Sequence, residues 1–139
     1  MKKLSQDSAR IRVGMLRGGM LNLVEEVAAR GKKEAPVKTG NLLNKIMGWV
    51  SGDGTKGTVT SRAPYSKYVH EGTGLYGPFM QRIFPTTKKA LFWTGAPHPY
   101  RSTAGQKANP FFRRALGLVK PQSVFENGVM NYLRKEGLV

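Results

Sequence analysis

The chain contains no cysteine, which removes disulfide frameworks and thiolate metal sites and leaves the redox compartment undetermined. Histidine is almost as scarce. With only His70 and His98 present, a zinc site would need both of them together with carboxylates from elsewhere. Acidic residues number 8 against 23 Lys and Arg, so a hydrolase built on two carboxylates lacks its raw material. No run approaches the roughly 18 apolar residues of a membrane span. The start, Met1-Lys2-Lys3-Leu4-Ser5-Gln6-Asp7, is basic but lacks the apolar stretch of a signal peptide. The expectation is a soluble protein without membrane contact or Sec export.

The motifs of catalysis are missing as well. His70 and Glu71 are adjacent, a spacing that puts them on different faces of a strand or helix and supports neither a metal pair nor a base with its orienting carboxylate. There is no Gly-x-Ser-x-Gly elbow. The segment Gly52-Asp53-Gly54-Thr55-Lys56-Gly57-Thr58 has the composition of a phosphate loop without its spacing or its following helix, and reads instead as a hairpin tip. No catalytic, metal or cofactor residues are assigned, and an enzyme is not expected.

What the sequence does have is positive charge, formally +15. A potential of that size recruits polyanions at low salt, so nucleic acid, an acidic protein surface and simple solubility all remain open. The cations are spread along the chain with pairs at Lys32-Lys33, Lys88-Lys89 and Arg113-Arg114, not gathered in one basic arm. These six are the candidate contacts to a polyanion or partner.

A length of 139 residues suits one domain spanning 1–139. An apolar share of 40%, with 17 Gly and 8 Pro, implies short elements and long loops, part of whose order comes from neighbouring subunits. From about residue 8 to 30, Leu16, Met20, Leu23, Val24 and Val27 recur at helical spacing. Gly14, Gly18 and Gly19 then imply either fraying or a close helix approach, and Gly31 is a plausible stop. A β-hairpin is expected at about 44–62, because the β-branched Thr58-Val59-Thr60 follows a turn at Asp53-Gly54. Three glycines in seven residues suggest a mobile tip.

Residues 72–108 read as a long loop whose one strand-like piece is Ala90-Leu91-Phe92-Trp93-Thr94. Phe79, Phe84, Phe92, Trp93 and Tyr100 make it too apolar for a solvated linker and favour a binding role. Asn109-Pro110 signals a helix start, and the helical part runs to about 136. Pro121 either kinks this helix or begins a second one, with Phe125, Val129, Tyr132 and Leu133 as its buried stripe. The fold class is therefore α+β: a long amino-terminal helix, a small antiparallel sheet with a hairpin, a long loop, and a carboxyl-terminal helix or kinked helix pair.

Three segments carry a family resemblance: Ala35-Pro36-Val37-Lys38-Thr39-Gly40-Asn41-Leu42, the stretch Ala63-Pro64-Tyr65-Ser66-Lys67-Tyr68-Val69-His70-Glu71-Gly72-Thr73-Gly74, and Ala108-Asn109-Pro110-Phe111-Phe112-Arg113-Arg114-Ala115-Leu116. In this order they resemble the neck or tail-completion proteins of long-tailed bacteriophages, also described as head-tail joining proteins or minor tail components. The family pattern has an acid where Lys38 stands and commonly a proline where Arg114 stands. The family-motif residues here are Pro36, Thr39, Gly40, Asn41, Leu42, Tyr65, Tyr68, Val69, Gly72, Thr73, Pro110, Phe111 and Leu116.

The resemblance implies a structural virion protein: a homo-oligomeric ring, expected to be hexameric, between head-closure proteins and the tail terminator or tail tube. Such a ring lets DNA pass and is assembled in the host cytoplasm. The residues themselves suggest that Thr39-Gly40-Asn41 caps or turns the chain. Tyr65 and Tyr68 are weighed toward core packing with an interface as the alternative, and one of Phe111 and Phe112 packs inward while the other meets a neighbour or the loop. The competing function is a general, sequence-independent DNA-binding protein that uses the +15 charge.

Overall fold

The computed structural model describes residues 2–36 and 40–139. Thr39, with Val37 and Lys38 of the first motif, lies outside the described residues. The chain forms two compact units, Met1–Ala63 with Phe112–Val139, and Pro64–Phe111. The architecture is mixed α+β, with a long first helix, one antiparallel hairpin and helices at the carboxyl-terminal side.

The first unit is organised on helix α1 (Lys2–Glu34), which extends beyond the expected 8–30 at both ends. Gly31 does not stop it. The missing side chain there accommodates the Phe112 ring, 3.1 Å from where a Cβ would stand, so packing outweighs the intrinsic cost of a helical glycine. Beyond α1, Gly40 adopts φ 71° and leads into the short helix α2 (Asn41–Asn44), whose Leu42 is buried. The turn expected around Gly40-Asn41 is thus built by left-handed backbone that glycine tolerates best.

Strands β1 (Ile46–Val50) and β2 (Gly57–Ser61) pair antiparallel, with Gly48 opposite Val59 and Val50 opposite Gly57. Their tip is anchored within the chain, which departs from the expected mobile tip. Gly54 is buried at φ 76°, and a Cβ on it would meet the backbone of Leu16 and Arg17 in α1. The Asp53 carboxylate accepts from Ser51 Oγ (2.6 Å), Thr55 N (3.1 Å) and Thr55 Oγ1 (2.8 Å). Led by the Ser51 bond, these hold its pKa down at about 2, since hydrogen bonds to the charged form favour it.

Helices α4 (Phe111–Leu118) and α5 (Pro121–Lys135) close this unit. Pro121 begins a second helix at its first position, where the missing amide costs nothing. Helix α5 packs along α1 through glycine: Tyr132 covers Gly14 and Gly18, Phe125 covers Gly19, and Gly128 abuts the Gly18 carbonyl. Asn22 Nδ2 donates to the Val124 carbonyl (2.6 Å) across the same seam. The glycines of α1 are therefore sites of close helix approach, one of the two readings their positions allowed.

The second unit contains helix α3 (Ser66–Glu71), a single 3₁₀ turn at Gly74–Tyr76 and otherwise irregular backbone. The strand-like 90–94 piece forms no strand. Two isolated antiparallel bridges, Leu91 with Tyr100 and Ile83 with Thr103, fold the loop back on itself, because the intervening Thr94-Gly95 turn and the two prolines at 97 and 99 interrupt any ladder. No helix among the described residues is long and apolar enough to cross a membrane.

Candidate functional site

The candidate site is the surface of the Pro64–Phe111 unit, an aromatic-rich loop held at its base by a glycine clasp. Gly72, Gly74 and Gly105 all have φ between 63° and 91°, and a Cβ on any of them would run into backbone of the opposing strand of the clasp. Thr73 N donates to the Gln106 carbonyl (2.9 Å), Leu75 N to the Ala104 carbonyl (2.8 Å), and Gln106 N to Thr73 Oγ1 (2.9 Å). Gly72-Thr73-Gly74 is thus a device for bringing the two ends of the loop together.

Next to the clasp, the second and third motif segments meet. Asn109 N donates to the Val69 carbonyl (2.9 Å), and the His70 ring lies edge-on to Phe111 at 5.6 Å and 77°. Among the described residues Phe111 is the largest fully buried side chain, and Val69 is also buried. Tyr65 and Tyr68 are not core residues: α3 turns its Val69 face inward and leaves Tyr68 61% exposed and Tyr65 at the margin of exposure. Helical rather than strand periodicity decides this, since residues one apart on a helix diverge by about 100°.

Beyond the clasp the chain exposes apolar side chains: Phe79 at 85%, Met80 at 76%, Phe84 at 62% and Phe92 at 68%. Met80 takes φ 50°, which β-carbon sterics disfavour. Trp93 stacks on Tyr100 (5.3 Å, 16°), which in turn meets His98 (4.2 Å). Between α3 and residues 77–83 lies an open cavity of about 520 Å³, with Lys67, Tyr68, Glu71, Phe79, Arg82 and Ile83 on its walls.

The six candidate cations are dispersed. Lys32 and Lys33 are exposed in the last turn of α1, where positive charge complements the helix dipole; Lys88 and Lys89 are exposed on the loop, and Arg113 on α4. Arg114 is engaged within the chain: its Nε meets Glu34 Oε2 (2.9 Å) and its Nη2 donates to the Glu34 carbonyl (3.1 Å). It caps the end of α1. Among the motif residues, Pro36 and Pro110 are half-buried, while Asn41 and Leu116 are exposed, Leu116 at 60%.

Sequence reasoning singled out the loop aromatics but missed the exposed Met80, and missed Lys67, Arg82 and the cavity these two border. The proximity of residue 67 to residue 82 depends on the clasp, which only the paired glycines 72, 74 and 105 could have hinted at. No group of His, Asp or Glu among the described residues is arranged to hold a metal ion. No protein-family model, curated protein or solved structure matches this chain.

Proposed function

We propose that this chain is a structural subunit of a tailed-phage particle, which assembles with copies of itself into a ring of the neck. The copies number six on the family resemblance. The ring joins head-closure proteins to the tail terminator or tube and leaves a passage for DNA. The work is geometric and requires no turnover: heterologous side-to-side contact closes around an axis.

The observation that carries this reading is the exposed apolar surface between residues 75 and 93, where Phe79, Met80, Phe84 and Phe92 stand out of a hydrogen-bonded base. Large apolar side chains exposed together on a small protein mark an assembly face, here the one turned to the head-closure or tail proteins that the ring joins. The second and third motif segments support it further, because Gly72 and Thr73 build the clasp while Val69 and Phe111 are buried beside it. Native mass spectrometry and negative-stain electron microscopy of the purified protein, alone and with candidate neck partners, test the proposal. Closed rings are expected, and a protein that stays monomeric with every partner and enters no particle would refute it.

The +15 charge supports a second reading, general binding to DNA through Lys32, Lys33, Lys88, Lys89 and Arg113. Duplex titrations at two salt concentrations separate them: tight binding with a steep salt slope favours the DNA reading, whereas weak, salt-labile binding is what any basic protein shows.

A further inference from the structure

The Pro64–Phe111 unit combines two properties that no single bland surface needs. Its charges are Lys67, Arg82, Lys88, Lys89, Arg101 and Lys107 against the one acid Glu71, and no Asp or Glu occurs from residue 72 to residue 125. Its exposed apolar side chains include Leu75, Met80 and Ile83 beside the aromatic rings. We infer that this unit is a docking surface for a different protein, one presenting acidic and apolar side chains together, and that it is not a contact between copies of this chain.

Charge decides against a second copy. The Met1–Ala63 and Phe112–Val139 segments carry the remaining 17 Lys and Arg against 7 Asp and Glu, so both units of any copy brought to this face are net positive. Like charges set against one another at an interface are strongly disfavoured. Duplex DNA would satisfy the cations but offers nothing to cover Phe79, Met80 and Phe84. A single nucleic-acid strand could stack on rings, yet the exposed Leu75, Met80 and Ile83 offer a base no π-face, and the Trp93 and Tyr100 rings already stack on each other.

Aromatic residues, Met and Arg are the side chains enriched at protein–protein interfaces, and all three occur here. The cavity of about 520 Å³ beside Phe79 and Ile83, with Lys67 and Arg82 at its edge, suits an apolar anchor flanked by a carboxylate. Arg82 is held in place, its Nε donating to Ser102 Oγ at 3.0 Å. The inference does not need the ring: such a surface would serve a subunit docking an acidic partner in any assembly.

The test uses the full chain carrying Trp49→Phe, which leaves Trp93 as the one fluorescent reporter. Four probes are titrated at about 150 mM salt: a peptide alternating Asp or Glu with Leu and Phe, its counterpart with Ser in place of Leu and Phe, a deoxythymidine oligomer, and a DNA duplex. The acidic-apolar peptide is expected to shift Trp93 emission and to bind roughly tenfold more tightly than the Ser peptide. Arg82→Glu and, separately, Phe84→Ser should each weaken it by about tenfold or more. Both positions are exposed, and circular dichroism checks that the variants fold.

Equal binding of the two peptides overturns the inference, as does tighter binding of either nucleic acid. A fall in the oligomeric state of the Phe84→Ser variant also overturns it, since the face would then join copies. Failure to form rings with intact peptide binding sinks the proposed function alone; rings without peptide binding sink this inference alone.

Discussion

Replacing Gly128 by alanine sets two opposing effects against each other on a single methyl group. In an unconstrained helix the change stabilises, by about 0.5–1 kcal/mol, because glycine loses more backbone entropy on folding. In α5 the new Cβ falls on the Gly18 carbonyl oxygen, with Asn22 Cβ 2.7 Å and Gly19 Cα 2.8 Å away. Two of these neighbours are backbone, so no rotamer change relieves the clash. Overpacking of this kind costs typically about 1–3 kcal/mol, and separating the helices also stretches the Asn22 to Val124 hydrogen bond. The net is a loss of about 1–2 kcal/mol, which lowers Tm by roughly 3–8 °C at this chain length.

Gly117→Ala supplies the internal control. It lies in α4 with nothing within 4 Å of its would-be Cβ, so the propensity gain stands alone and stability should rise by about 0.5–1 kcal/mol. Thermal and urea unfolding followed by circular dichroism, at one fixed protein concentration because association raises apparent stability, gives both values. A Gly128→Ala protein as stable as its parent, or more so, would falsify the account of the α1–α5 seam.

Phe111→Ala should cost about 3–5 kcal/mol, the range for removing a buried aromatic, and hydrogen exchange should show the loss concentrated in residues 64–111. Gly54→Ala must strain left-handed backbone and meet α1, whereas Gly52, with open space around it, should accept alanine with little change; paired Tm measurements reveal the contrast. For Asp53 the folded pKa of about 2 lies below the ordinary 3.8, so its contribution is complete above pH 3.8 and is lost as pH falls through 2. An NMR titration should place the midpoint near 2, with the Thr55 amide shifting alongside; a midpoint at the ordinary carboxylate value would contradict the hydrogen-bonded tip.

How much of this could be read from residues alone varies by element. The periodicity of Leu16 to Val27 located α1, yet Gly31 looked like its end because a lone sequence shows the propensity cost and not the Phe112 ring that fills the gap. Asp53-Gly54 gave the hairpin by local turn chemistry, while the seating of Gly54 on Leu16 and Arg17 is a tertiary fact with no local trace. Pro121 marked a helix start or a kink, and its place at the first position fits the former. Tyr65 and Tyr68 misled because aromatic character signals burial on average, whereas α3 rotates Val69 inward instead. The clasp is the least legible part: it joins residues about thirty positions apart through backbone hydrogen bonds, which side-chain identity hardly encodes.

The seam between α1 and α5 also bears on how the chain reaches its final form. Asn22 and Val124 are 102 residues apart, and bringing ends so distant together costs on the order of 4 kcal/mol in loop entropy. The clasp spans a much shorter stretch, so residues 64–111 can knot themselves into shape while the long helix still waits for its partner. Folding rate should then be governed by a late zippering of glycine against glycine, and kinetic probes placed at Tyr132 would register the slowest step.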